Sequence, residues 1–101
     1  MMWLSYNCRG LSNPKKRLPL KRLLDDTNCD IIFLQETLGT SNIITRILHS
    51  ILTRWVFQGL DANGKFEGLA IGINHKVFNL ISSCGRRGFI RMNIFVGEFG
   101  L

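Results

Sequence analysis

The chain has 101 residues, of which 46% are hydrophobic and 20% are charged, and its formal net charge is +6. This composition is typical of one small globular domain and excludes a disordered or low-complexity protein. No uncharged apolar stretch approaches the roughly 20 residues that cross a bilayer, and the N-terminus lacks a charged n-region, so we expect neither membrane insertion nor secretion.

The positions of the charged residues and of the cysteines indicate which partner and which cellular compartment to expect. Six basic residues precede the first acid, Asp25, and from there on basic and acidic residues balance: Arg9, Lys15, Lys16, Arg17, Lys21 and Arg22. This basic segment predicts attraction to nucleic-acid phosphates, although a solvated helix face has the same pattern. Three widely spaced cysteines without metal-ligand spacing favour a reducing, intracellular compartment. The run Lys15-Lys16-Arg17 also resembles a nuclear-import signal.

The first third of the chain predicts a strand, a helix and a second strand. The first strand runs from Trp3 to Asn7, and Asn13-Pro14 is a helix-start signal. The apolar stripe of this helix consists of Leu20, Leu23 and Leu24. Pro19 lacks an N–H, so we expect an irregular first turn or a regular helix that begins only near Leu18.

The second strand, at residues 31–34, is an uninterrupted apolar run, which is typical of a strand covered on both faces. Together with the helix, the two strands predict a right-handed βαβ unit. A second amphipathic helix follows a capping signal at residues 40–42, with apolar residues Ile43, Ile44, Ile47, Leu48, Ile51 and Leu52. Short segments then predict an antiparallel meander with strands at 55–58, 69–73, 77–81 and 89–96 and turns at 61–64 and 85–88. The fold class is therefore α/β.

Two polar residues follow the predicted parallel strands. Asn7 ends the first strand and Glu36 comes after the second, where open α/β sheets place their sites, so the two side chains should meet. A carboxylate beside a carboxamide is half of a hard-cation site, because Mg²⁺ takes one or two protein oxygens and keeps several waters. The simpler interpretations are an exposed strand end for Glu36 and a turn cap for Asn7.

Two blocks of the sequence resemble the endonuclease/exonuclease/phosphatase superfamily, and in particular the endonuclease domain of plant non-LTR (LINE-type) retrotransposons. The blocks are Ser5-Tyr6-Asn7-Cys8-Arg9-Gly10-Leu11 and Phe33-Leu34-Gln35-Glu36-Thr37. The resemblance implies a two-sheet α/β sandwich more than twice as long, so residues 1–101 are expected to form a truncated N-terminal part. It also implies that Glu36 binds the divalent cation and that Asn7 holds the metal and the scissile phosphate.

The remaining motifs of the superfamily, a catalytic His–Asp pair and a supporting Asp-x-Asn, lie in its C-terminal half, and we expect residues 1–101 not to supply them. The two Asp-x-Asn triplets of this sequence, Asp26-Thr27-Asn28 and Asp61-Ala62-Asn63, fall in the N-terminal part instead. Neither His49 nor His75 lies in such a motif, and both are expected at the surface. Glu67 replaces a small residue of the resembled family, which raises the question of whether the hairpin packs closely there. We therefore expect a fragment of a Mg²⁺-dependent DNA endonuclease domain, inactive by itself. The alternative is a small basic nucleic-acid-binding remnant.

The expected partners follow from the same reasoning. DNA would bind the intact domain through the basic segment, which includes Arg9, while no membrane is involved. A missing C-terminal half could be required for activity, and exposed sheet edges would allow the chain to form oligomers or aggregates.

Overall fold

A computed structural model describes residues 2–63, 66–75, 78–86 and 89–96. The protein is mixed α/β, as the sequence predicts. The elements in chain order are β1 (Trp3–Asn7), α1 (Arg17–Asp26), β2 (Ile31–Gln35), α2 (Ser41–Ile51), β3 (Trp55–Leu60), β4 (Leu69–Asn74), β5 (Phe78–Arg86) and β6 (Phe89–Val96). Four strands form one sheet in the order β1-β2-β4-β3, and β5 pairs with β6 in a second sheet.

The N-terminal unit joins two parallel strands through α1. β1 and β2 pair in register from Trp3 opposite Ile31 to Asn7 opposite Gln35, which confirms the predicted βαβ arrangement of strands. Before α1, a 3₁₀ helix covers Pro14–Lys16, and the Asn13 side chain caps it by accepting the Lys15 N–H at 3.0 Å. Pro19 is tolerated because it lies in the first turn of α1, where backbone N–H groups have no intrahelical partner.

The main core lies between this sheet and both helices. Each element contributes buried residues at its predicted spacing: Leu20 and Leu24 from α1, Ile32 and Leu34 from β2, Ile44 and Leu48 from α2. The Thr40 side chain caps α2, as predicted. Ile43 is the exception to the predicted stripe of α2, because its side chain is exposed.

The opposite face of the same sheet carries a second apolar cluster. Ile31 and Ile73 are buried there, and Met92 of β6 packs against them. Since β2 is buried on both faces, its continuous apolar run is explained. The two sheets are also joined by a hydrogen bond from Ser83 Oγ to Gln58 Oε1 at 2.7 Å. At the β1 end of this face, Trp3 remains 61% exposed although its ring lies 6.0 Å from that of Phe33.

The second half contains the predicted antiparallel strands, but they belong to two different sheets. β3 and β4 form a hairpin, and β4 also pairs with β2. β5 extends to Arg86, five residues beyond the predicted end of that strand. Asn63 and Phe66 pair across the predicted Asn63-Gly64 turn, whose residues 64 and 65 lie outside the described part. Arg87 and Gly88 of the next predicted turn also lie outside it.

The helices of the described residues are all too short or too polar to cross a lipid bilayer.

Candidate metal-binding site

The carboxyl ends of β1 and β2 bring Asn7 and Glu36 into contact, as the parallel arrangement predicts. Asn7 Nδ2 donates a hydrogen bond to Glu36 Oε2. The other end of the carboxamide is also fixed, because Asn7 Oδ1 accepts the Arg9 N–H at 3.1 Å. These two bonds set the orientation of the carboxamide, so Asn7 holds one carboxylate oxygen of Glu36 in place.

The second carboxylate oxygen of Glu36 differs from the first in its surroundings. Glu36 is partly exposed, and no described residue donates a hydrogen bond to its Oε1. Oxygen ligands suit Mg²⁺, which completes its shell with water when a protein supplies only one or two of them. No cluster of three or more His, Cys, Asp or Glu side chains occurs among the described residues. The donor set therefore fits half of a hard-cation site.

The backbone at this edge adopts an unusual conformation. Glu36 has φ = 53°, Arg9 has φ = 50° and Leu38 has φ = 56°. Each non-glycine residue in the left-handed region costs about 1 kcal/mol or more, because Cβ approaches a carbonyl oxygen. Such residues persist only where surrounding contacts hold them, and they concentrate at functional sites.

Contacts from the loop after β1 hold one side of Glu36. The Gly10 N–H donates to the Glu36 carbonyl at 2.9 Å, and the Leu11 N–H donates to the Thr37 carbonyl at 3.3 Å. Gly10 itself has φ = 96°, which only glycine adopts readily. The loop therefore extends the pairing of β1 and β2 past the ends of both strands.

The loop between β3 and β4 holds the other side, and sequence reasoning missed this contribution. The Leu38 N–H donates to the Glu67 carbonyl at 2.8 Å, and the Thr37 N–H donates to the Gly68 carbonyl at 3.4 Å. Glu67 takes part through its backbone while its side chain is exposed, so its charge does not disturb the packing of the hairpin. The glycine at position 68 was the only sequence signal for this contact.

Cys8 lies directly behind the pair and is 1% exposed. Burial, followed by the negative charge of Glu36, raises the pKa of the Cys8 thiol from 9.0 to about 12. Burial also raises the pKa of Cys29. Both thiols therefore remain protonated at neutral pH and act as small apolar groups in the core, which argues against a nucleophilic role.

This shift predicts that alkali destabilises the fold. In the unfolded chain Cys8 ionises near its ordinary pKa of 9.0, whereas in the folded chain it keeps its proton to about pH 12. The contribution to stability is thus complete below pH 9 and is lost as pH rises toward 12, by about 1 kcal/mol at pH 10. Urea unfolding at pH 8 and pH 10 measures the loss. Cys8→Ala, which keeps every other titrating group, should lose less stability over this interval; equal losses would refute the assignment.

The structure divides the predicted nucleic-acid-binding residues into two groups. Arg17 bonds to the carbonyls of Leu11 and Ser12 at 3.1 and 3.2 Å, and Lys21 forms an ion pair with Asp25 at 2.9 Å. The remaining four basic side chains make no hydrogen bond or ion pair within the described residues: Arg9, Lys15, Lys16 and Arg22. Arg17 therefore stabilises the loop after β1 through these two hydrogen bonds.

The two histidines lie away from the pair. His49 and His75 are both exposed, as predicted. His49 lines an open groove of about 410 Å³ between α2 and β3, together with Arg46 and Trp55. Neither Asn7 nor Glu36 lines this groove, so it is not part of the candidate site.

Sequence comparison assigns the family to which this arrangement belongs. Residues 4–96, nearly the whole chain, match the Endonuclease/Exonuclease/phosphatase family. The matched region includes both Asn7 and Glu36. A comparison with curated protein sequences gave no match. The α/β fold and the length of the family match together establish that the chain belongs to the endonuclease/exonuclease/phosphatase family, a family of nuclease- and phosphatase-type hydrolases.

Proposed function

We propose that the chain provides the cation-binding half of the active site of a Mg²⁺-dependent DNA endonuclease domain. The observation that carries this proposal is the Asn7–Glu36 pair, at the carboxyl ends of two parallel strands, with one carboxylate oxygen that accepts no hydrogen bond from a described residue. Family membership supports a phosphate-ester hydrolase. The sequence Asn7-Cys8-Arg9-Gly10 resembles the retrotransposon-type endonucleases, which favours DNA as the substrate.

Each residue of the pair has a distinct role in this proposal. Glu36 would hold Mg²⁺ through its free oxygen, and Asn7 would orient the carboxylate and contact the ion or the phosphate. When bound, Mg²⁺ polarises the scissile phosphate and stabilises the charge that develops on it. Asn7 fixes the carboxylate before the ion arrives, so less reorganisation is needed on binding.

The pair does not supply everything that hydrolysis requires. A general base must take a proton from the attacking water. His75 follows β4 at the end that pairs with Ile31, opposite to Glu36, and His49 lies in the last turn of α2. We infer that this base comes from outside the described residues. In that arrangement the chain acts as a fragment and is inactive alone.

The basic side chains that pair with no described residue support contact with a phosphate backbone. Lys15 and Arg22 are exposed, and the loop after β1 connects this region directly to Asn7. The same observation supports the alternative proposal, a nucleic-acid-binding protein without catalysis. The two functions differ in their dependence on metal, because phosphate binding by Lys and Arg needs no divalent cation. The import-like run would place either function in the nucleus.

Metal binding tests the leading proposal directly. Mn²⁺, a spectroscopic substitute for Mg²⁺, should bind the chain weakly, with an affinity of about millimolar, because most of its ligands remain water. Electron paramagnetic resonance of free Mn²⁺ measures this binding. Glu36→Gln keeps the shape of the side chain but removes its charge, so bound Mn²⁺ should fall to background. Asp26→Asn, which removes an exposed carboxylate from the end of α1, should have no effect. Equal binding by wild type and Glu36→Gln would refute the site.

A further inference from the structure

The loop between β3 and β4, of which residues 61–63 and 66–68 are described, contacts the segment that follows Glu36. Besides the bonds to Glu67 and Gly68, the Ala62 N–H donates to the Gly39 carbonyl at 2.9 Å, and Asp61 Oδ1 accepts the Ser41 N–H at 2.5 Å. Four hydrogen bonds thus connect residues 37–41 to this loop. No side chain of the described loop residues belongs to the Asn7–Glu36 pair itself.

Gly68 is the point of closest approach. It has φ = 84°, and a Cβ atom at this position would lie 2.5 Å from Thr37 Oγ1 and 3.4 Å from the Leu38 nitrogen. Thr37 is 0% exposed, and its hydroxyl makes no hydrogen bond among the described residues. The Thr37 hydroxyl therefore occupies the space that a side chain at position 68 would need. Any larger residue at position 68 would displace Thr37, and with it the backbone next to Glu36.

The direction of the Glu36 side chain depends on this backbone. If β2 continued in extended conformation, residue 36 would alternate with Gln35 and point toward the helices, on the side of Leu34. Asn7 pairs with Gln35 and therefore lies on the other face. The left-handed conformation of Glu36 turns its carboxylate back toward Asn7. Gly10 holds this turn on one side, and the β3–β4 loop holds it on the other.

We propose that the β3–β4 loop positions Glu36 for its divalent cation, with Gly68 and Asp61 as positioning residues. Gly68 leaves room for the Thr37 side chain, and its carbonyl accepts the Thr37 N–H. The Asp61 carboxylate accepts the Ser41 N–H and so holds the start of α2. The loop thus supports the backbone that carries the proposed cation ligand, even though it lies more than 20 residues from Glu36 along the chain. This inference rests on the proposed function for the identity of the ligand, but the positioning of Glu36 is measurable without the ion.

The test compares Gly68→Ala with Gly72→Ala. A Cβ at Gly72 would lie 2.4 Å from the Phe57 ring, so this control also introduces a clash into β4, but away from Glu36. In Gly68→Ala we expect faster hydrogen exchange at the amides of Gly10 and Leu11, which bond across Glu36, and an Mn²⁺ affinity at least about threefold weaker. Gly72→Ala should lower overall stability without these two local changes.

Asp61→Ala provides a milder second variant, because Asp61 is exposed and its removal leaves no clash. It should produce the same changes to a smaller extent, and it decides the question if Gly68→Ala does not fold. The proposal is overturned if the folded variants match Gly72→Ala in both amide exchange and Mn²⁺ affinity. If wild type binds no Mn²⁺ through Glu36, the proposed function fails, whereas exchange at Gly10 and Leu11 still tests the positioning.

Discussion

Supercoiled plasmid should remain intact with this chain alone in Mg²⁺, and nicking should appear when the C-terminal half of another family member is fused to it or added in trans. The reason is that the proposed roles of Asn7 and Glu36 are to position a cation and a phosphate, whereas the attacking water needs a base that this pair does not supply. Gel electrophoresis of relaxed and supercoiled plasmid measures the result. In the completed domain, Glu36→Gln should lower the nicking rate about 1000-fold.

Two controls make this result specific to the site. Asp26→Asn in the completed domain should nick at the wild-type rate, because that carboxylate lies at the distant end of α1. The isolated C-terminal half should not nick by itself. Nicking by the isolated chain that survives both repurification and Glu36→Gln would show that a different residue performs the chemistry. Nicking by the completed domain that survives Glu36→Gln would remove the cation role from this residue.

The meeting of Asn7 and Glu36 was predictable because it follows from topology. Two apolar runs joined by an amphipathic helix favour parallel strands, and parallel strands end at the same edge of a sheet. Polar residues at those two ends must then approach each other, whatever the details of the helix between them. The late start of the regular helix, at Arg17 after a 3₁₀ turn at Pro14–Lys16, was also predictable, since Pro19 lacks the N–H that a regular helix interior requires.

The left-handed conformation of Glu36 was not predictable from its neighbours. Glutamate has no local preference for positive φ, and the conformation depends on backbone groups at Gly10, Glu67 and Gly68, two of which lie about 30 residues further along the chain. Any residue type can accept a hydrogen bond through its backbone carbonyl, so the sequence does not indicate where such bonds form. Only Gly68 carries a signal, and a single glycine between two strands is also typical of an ordinary turn.

The charge pattern of the sequence also did not predict which basic side chains are paired within the protein. Lys15 and Arg17 carry the same charge and lie in the same segment of the sequence. Arg17, however, bonds to two carbonyls of the loop after β1, whereas Lys15 is exposed and unpaired within the described residues. Arginine has five N–H donors in a planar fork and can serve the backbone as readily as a phosphate. The charge pattern therefore identified the basic surface but not which members of it are available to DNA.

The difference between paired and unpaired basic residues predicts which substitutions weaken DNA binding. Binding should be independent of sequence and should weaken steeply with salt, because phosphate contacts release counterions. Replacing Lys15 and Lys16 by Gln removes two cations that pair with no described residue, and should weaken binding by about 50-fold at about 0.1 M salt, with the salt slope reduced by about 2. A filter-binding titration at several salt concentrations measures both quantities.

The matched control removes the same charge from another surface. Arg46 and Arg54 are exposed and lie outside the basic segment, so Arg46→Gln with Arg54→Gln lowers the net charge equally. If the basic segment is the phosphate-binding surface, this control should keep nearly all of the affinity and of the salt slope. Lys21→Gln should also have little effect, because Lys21 already pairs with Asp25 at 2.9 Å. Equal losses in the two double variants would mean that net charge attracts DNA without a defined surface, and unchanged affinity in both would leave the basic segment a solvated helix face.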